Sequence, residues 1–281
     1  MTDSLRIRNQ KFVWGQRTYI MGILNVTPDS FSDGGEFDRF DTAINQSLEM
    51  IQQGADIIDI GGQSTRPGAK QITLTEELNR VIPIVESLRK QSDIVISVDT
   101  TRSEVAQSAI DAGADIINDI SGGSFDSEML PVVAQLQVPI ILMHIKGNPE
   151  TMQSLTDYDD IVLEIQTFLQ TQVDRALELG VGKEHLLLDI GVGFAKNFEQ
   201  NITILRNIGE FKKMGYPLLI GTSRKSFIGQ ILDKKEPSDR IWGTAGSCSY
   251  AITQGADILR VHDVAIMSDV AKVTDALSRC D

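Results

Sequence analysis

The chain has 281 residues, 41% hydrophobic and 23% charged, which excludes disordered and fibrous classes and allows one large domain or two ordinary ones. With 26 Lys and Arg against 39 Asp and Glu, the net charge of −13 argues against nucleic-acid and anionic-membrane binding, but not against an anionic small molecule met by a few local cations. Cys248 and Cys280 lie in no metal-like cluster, the start carries no signal-peptide core, and no apolar run reaches bilayer length, so a reduced, soluble, cytoplasmic protein is expected.

In chain order, residues 6–18 (RIRNQKFVWGQRT) predict a small hairpin turning at Gly15 and closing the bottom of whatever follows. A short apolar run comes next, YIMGILNV (19–26), and then a helical pattern over 40–53. GADIIDIGG from Gly54 opens a motif that returns as GADIINDISGG from Gly113 and GADILRVHD from Gly255. In each, a helix ends at a glycine able to turn left-handed, an Ala-Asp pair follows, and an unbroken Ile/Leu/Val run begins three residues after the glycine. Runs without alternation are strands covered on both faces, as in parallel sheets wrapped by helices. A second helix is predicted over 75–90, with Thr75 as its cap, Glu76 and Glu77 favoured by the dipole, and Pro83 marking a kink or a late start. Further strands are predicted at 94–99, 138–144, 185–191 and 217–221, and a long helix over 158–180.

Eight strand–helix units across 1–281 fit a single closed (β/α)8 barrel. A doubly wound open sheet is the competitor, but no strand run here is followed by GxGxxG. In a barrel, the residues ending the strands line one mouth, and those residues are Asn25, Asp59, Asp99, Asn118, His144, Asp189, Ser223-Arg224-Lys225, Arg260 and His262. Each alone reads as a buried polar group satisfied by its neighbours, whereas so many on one rim predict a shared ligand. Asp99, Asn118 and Asp189 suit the paired N–H donors of a nitrogen-rich heterocycle. Arg224, Lys225, Arg260 and His262 suit phosphate oxygens, with Mg²⁺ as the expected companion. Long loops at 25–35 and 61–68 have the composition of turns and the position of lids.

The stretches MGILNVTPDSFSDGG (21–35), GGQSTRPG (61–68), SVDT (97–100), NDI (118–120), LMH…GNPETMQ (142–153), SRKSFIGQ (223–230) and RVHDV (260–264) together resemble the dihydropteroate synthases, over nearly the whole chain. That resemblance implies a (β/α)8 barrel of folate biosynthesis. It would join 6-hydroxymethyl-7,8-dihydropterin diphosphate to 4-aminobenzoate, with Mg²⁺, as a homodimer through the late helices. It assigns Asn25 to the metal, and Asp99, Asn118, Asp189 and Lys225 to the pterin. Thr65, Arg260 and His262 are assigned to the diphosphate, with Arg66 close by. Ser223, Arg224, Phe194 and Pro67 are assigned to 4-aminobenzoate, and Asp33 to organising the closed complex. Asp33, Asp99, Asp189 and Lys225 are the expected catalytic set, and an SN1-like displacement is the expected chemistry. Gln63, Ile190 and Ala195 depart from the commonest pattern, where Glu, Pro and Gly are usual.

Two rivals stay open from sequence: a pterin-dependent methyltransferase barrel passing a methyl group to a corrinoid, and a catalytically silent binding protein. His144 reads equally as structural or as a ligand contact, His185 as surface, Met143 as core, and Phe31 as a lid anchor or a packed loop aromatic.

Overall fold

The computed structural model describes residues 4–27 and 36–279, so Phe31, Asp33 and Cys280 lie outside the described residues. Strands β1 (Ser4–Ile7) and β2 (Gln10–Val13) pair antiparallel as a two-stranded sheet. Strands β3 (Tyr19–Asn25), β4 (Ile57–Gly61), β5 (Val95–Asp99), β6 (Ile116–Asp119), β7 (Ile140–Met143), β8 (Leu186–Asp189), β9 (Leu218–Ile220) and β10 (Ile258–Val261) run parallel and close on themselves, β10 pairing with β3. Helices fill the crossovers: α1 (Glu36–Gln52), α2 (Leu74–Gln91), α3 (Ser103–Asp111), α4 (Met129–Leu136) and α5 (Ile161–Glu178) each follow one strand. After β8 come α6 (Phe198–Arg206) and α7 (Ile208–Lys212); after β9, α8 (Ser226–Leu232) and α9 (Ile241–Thr253); after β10, α10 (Val264–Ser278). The chain is therefore the expected barrel and not the open sheet. None of its described helices is long and apolar enough to cross a membrane.

Strand parity decides where the chemistry goes. Met21, Ile57, Val95, Ile116, Ile141, Leu187, Leu219 and Ile258 form one cluster inside the barrel, together with Leu5, Ile7 and Phe12 of the hairpin. Their chain neighbours, such as Ile58, Ile96 and Ile117, belong instead to the larger core between barrel and helices. Side chains alternate faces along a strand, so the residue two places beyond each interior apolar residue also points inward. On five strands those residues are polar (Asp59, Ser97, Asn118, Asp189 and Arg260, with Asp99 a further two beyond Ser97), and on the other three they are Ile23, Met143 and Gly221. The lumen is thus dry at the hairpin end and polar at the other.

The repeated Gly-Ala-Asp works at the dry end. Gly54, Gly113 and Gly255 end their helices with φ of +100°, +111° and +99°. Asp56 then donates its N–H to the Ile20 carbonyl at 2.8 Å and accepts from the Ile20 N–H at 2.9 Å. Asp115 does the same to Ile96, and Asp257 to Leu218. Each carboxylate also holds cations: Arg17 on Asp56, Arg8 and Arg89 on Asp115, Lys212 on Asp257.

Some local readings need correction. The hairpin turns at Arg8 and Asn9, with Ile7 opposite Gln10 and Arg8 left-handed at φ +51°; Gly15 lies in the link to β3. The cap of α2 is Thr73, whose hydroxyl accepts from the Glu76 N–H at 3.2 Å, and the helix begins nine residues before Pro83. Glu76 and Glu77 lie in the first turn as expected, and Glu77 is also buried, accepting from the Thr100 hydroxyl at 2.6 Å and from Arg102 at 2.7 Å. His185 is half-buried in a short 3-10 turn before β8 rather than a surface residue.

Candidate active site

Arg260 organises one side of the polar mouth. Its Nε donates to Asp59 Oδ2 at 2.6 Å and its Nη2 to Asp99 Oδ2 at 2.7 Å. Asn118 donates to the same Asp59 oxygen at 3.1 Å, so β4, β5, β6 and β10 meet in one network. Asp59 is fully buried, and its second oxygen has no hydrogen-bond partner among the described residues. Burial pushes the Asp99 carboxyl above its ordinary range, with Arg260 pulling the other way and Asp59 adding to the rise. Arg260 is pushed up: two carboxylates outweigh the burial that opposes its charge. The predicted division into an acidic and a cationic end is therefore not kept, because this cation sits between two acids.

The opposite side is built from β8 and β9. Asp189 accepts the Gly191 N–H at 2.7 Å; burial raises its pKa, opposed by that hydrogen bond and by Lys225. Lys225 carries its ammonium 4.3 Å from the centre of the Phe194 ring. Burial lowers its pKa to about 8, against the pull of Asp189. Gly193, left-handed at φ +81°, leaves Lys225 its path, since a Cβ there would stand 3.0 Å from the lysine chain. Phe194 lies in a turn whose carbonyl groups are held by buried Lys196 and by Tyr158, and Lys196 also meets His144.

The Ser223-Arg224-Lys225 run is held from behind. Arg224 is left-handed at φ +59°, its N–H donating to Thr244 and its carbonyl accepting from Arg240. Its guanidinium makes a two-point pair with Asp263, at 3.0 and 2.6 Å. Ser223 Oγ accepts the His262 backbone N–H at 3.1 Å and meets His262 Nδ1 at 2.9 Å; with the hydroxyl as donor in that contact, the ring proton sits on Nε2. Burial, aided by Arg224 and Arg260, lowers the His262 pKa to about 3. His262 is thus a neutral hydrogen-bond donor, not the cation expected from sequence.

A cavity of about 600 Å³ opens beside Asp99, between the loops after β4, β6 and β7, and Thr65 lines it with Gln63, Ile120 and Asn148. Arg66 and Pro67 are exposed on the loop above, which is tied to its neighbour by the Gly68 N–H on the Pro149 carbonyl at 2.9 Å. Gln63 braces this loop, accepting from the Ile72 N–H at 3.1 Å and donating to the Lys70 carbonyl at 3.4 Å. A glutamate there would keep only the first contact. Asn25 ends β3 opposite Gly61, at the same rim. It offers a hard amide oxygen, and no three His, Cys, Asp or Glu among the described residues form a cage. This donor set fits magnesium, which takes few protein ligands and is completed by water and substrate phosphates.

Sequence reasoning named Asp59 at a strand end but gave it no duty, although it shares the parity of Asp99. Lys196 was passed over, and only its place beside Phe194 pointed to it. Met143 is core as expected, packed with Ile120, Ile145, Met152 and Ala195 below Phe194, and Ile190 is buried in the outer core.

Residues 21–262 match the family described as pterin binding enzyme. Over 268 residues the chain is 60% identical to the dihydropteroate synthase of Synechocystis sp., covering 95% of this chain and 93% of that one. The dihydropteroate synthase of Xanthomonas albilineans with 4-aminobenzoic acid superposes with a TM-score of 0.93, at 38% identity and 100% coverage of both chains. The same enzyme in complex with 7,8-dihydropteroate gives 0.88, at 36% identity, covering 99% of this chain and 100% of that one.

Proposed function

The chain belongs to the dihydropteroate synthase family of pterin-binding enzymes and is a transferase, and we propose that it joins 6-hydroxymethyl-7,8-dihydropterin diphosphate to 4-aminobenzoate with release of pyrophosphate. What supports this reading is the convergence of Asp99, Asn118, Asp189 and Lys225 on inward positions at one barrel mouth.

In this proposal Asp99 and Asp189, ionised, accept N–H donors on the flat edges of the pterin, and Asn118 supplies both a donor and an acceptor. Lys225 donates to the ring and fixes its pose. The bond from the exocyclic methylene to the diphosphate oxygen breaks first, its electron pair leaving with the diphosphate, and the two buried carboxylates stabilise the cationic ring that remains. Groups fixed beforehand toward developing charge often supply the largest part of a rate enhancement. On the leaving side, Arg260 and the Nε2–H of His262 hydrogen-bond the diphosphate, with Thr65 at the loop edge. Asn25 would hold a magnesium ion, which when bound adds charge neutralisation on the phosphate oxygens. The amine of 4-aminobenzoate, lodged against Phe194, Pro67 and the Ser223-Arg224 backbone, then forms the C–N bond and gives up a proton to the released pyrophosphate. By the family resemblance Asp33, outside the described residues, would join this catalytic set.

A homodimer completes the reading. Ile231 on α8, Trp242 on α9, and Val273 and Leu277 on α10 are 57%, 74%, 62% and 79% exposed on neighbouring late helices, a face that a second copy would cover.

Pyrophosphate release, measured with the diphosphate substrate and magnesium in the presence and absence of 4-aminobenzoate, tests the assignment. Amine-dependent release with formation of 7,8-dihydropteroate is expected. Absence of release under both conditions would overturn it.

A further inference from the structure

The turn over 190–196 is pinned far beyond what a surface connection needs. Gly191, Gly193 and Ala195 are all left-handed, at φ +69°, +81° and +50°. The Gly193 N–H donates to buried Asn201 at 2.6 Å, and the Tyr158 hydroxyl donates to the Ala195 carbonyl at 2.9 Å. Gly191 passes so close to the strand beneath that a Cβ would stand 2.0 Å from the His144 carbonyl oxygen. Under the turn lies Lys196, 3% exposed, its Nζ donating to the Phe194 carbonyl at 2.8 Å and to His144 Nδ1 at 3.1 Å.

Two features set this lysine apart. Among the described residues it makes no ion pair with a carboxylate. A buried ammonium with no direct ion pair is disfavoured: burial, opposed by the more distant Asp189 charge and aided by Lys225 and Lys146, lowers the Lys196 pKa to about 7. Its nitrogen partner is chosen to match: His144 is buried edge-on against Phe168 and, with its pKa lowered to about 2 by burial and by Lys196, stays neutral and accepts. An apolar chain of the same length would fill this space without the desolvation penalty. The polar pair is explained by what it holds, the backbone of Phe194, whose ring meets Lys225.

We infer that Lys196, seated on neutral His144, is a positioning residue for the arylamine side of the active site, holding the turn in the one conformation that sets Phe194 against Lys225. This rests on the proposed reading that Phe194 borders the 4-aminobenzoate position.

The test compares the full-length wild type with Lys196→Met, His144→Leu and His144→Asn, the last keeping an acceptor near the Nδ1 position. KM is measured for each substrate separately, thermal midpoints are recorded, and the Lys196→Met crystal structure is determined. Expected are a tenfold or greater rise in KM for 4-aminobenzoate in Lys196→Met and His144→Leu, with less than a threefold change for the pterin diphosphate. His144→Asn should stay near wild type, thermal midpoints should hold or rise, and Phe194 should be displaced from Lys225. Unchanged KM values, equal rises for both substrates, or a Phe194 still in place would each overturn the inference. An inactive wild type would instead count against the proposed function, leaving the crystallographic comparison to decide the positioning role.

Discussion

Replacing Asp99 with Asn should separate stability from activity. In the resting enzyme the change turns an ion-paired hydrogen bond, from Arg260 Nη2 at 2.7 Å, into one from the same cation to a neutral amide. That exchange loses about 1 kcal/mol, the scale on which charge strengthens a hydrogen bond. Against it stands the removal of a second buried negative charge beside Asp59, so the net change at neutral pH is within about 1 kcal/mol. Its pH dependence has a definite sign. Asp99 in the folded chain titrates above the ordinary 3.8, so the stability linked to its proton is full below that value and is lost as pH rises through the folded-state pKa. The variant lacks this loss, and its thermal midpoint relative to wild type should climb between about pH 4 and about pH 7. Activity should go the other way. An amide accepts one ring N–H and opposes the other with its own N–H₂, so a charge-assisted bond is lost and donors are left unpaired. The combined effect is about 3–5 kcal/mol, or ~10²–10⁴ in kcat/KM for the pterin diphosphate. Steady-state kinetics and thermal melts across that pH range measure both. A kcat/KM within threefold of wild type, or a melting point that falls as pH rises, would refute the reasoning.

At the other end of the barrel, Asp115→Ala leaves Arg8, Arg89 and the Ile96 N–H without their shared acceptor. It should destabilise by about 3 kcal/mol in chemical denaturation while kcat/KM at low temperature stays within twofold, and a selective loss of activity would sink the division between a structural floor and a reactive mouth. Ala195→Gly relieves a left-handed alanine, a cost of about 1 kcal/mol, and removes a methyl worth about 0.8 kcal/mol among Ile120, Met143 and Met152. The two nearly cancel, so a melting shift equivalent to more than about 2 kcal/mol in either direction would show that the turn is held by something else. Trp242→Asp should convert a dimer to a monomer in sedimentation with the site intact, and a wild type that is already monomeric would contradict the covering of that face.

Most of the architecture was readable because the barrel buries both faces of each strand, so apolar runs such as IVISVD and HLLLDIG stand out and end where side chains reach the mouth. What sequence missed depends on contacts between distant residues. Thr73 and Thr75 are both good caps, and only the path of the chain decides which hydroxyl faces the Glu76 N–H. Gly15 looked like the hairpin turn because it is glycine, yet the register set by Phe12 in the lumen puts the reversal at Arg8, an unlikely residue to turn left-handed. The charges of Arg224, Arg260 and His262 seemed free to gather around an anion. In the fold, Asp263 takes the first, Asp59 and Asp99 share the second, and burial keeps the third neutral.

The reach of Arg260 carries a consequence for how this molecule comes into being. Its partners stand 201 and 161 residues earlier in the chain, so until the last strand docks, Asp59 and Asp99 lack the guanidinium that bridges them. The cavity beside Asp99 takes its walls from the earlier part of the chain, whereas the charge that steadies Asp99 arrives from the far end. Capture of a ligand that engages Asp99 therefore draws on both at once.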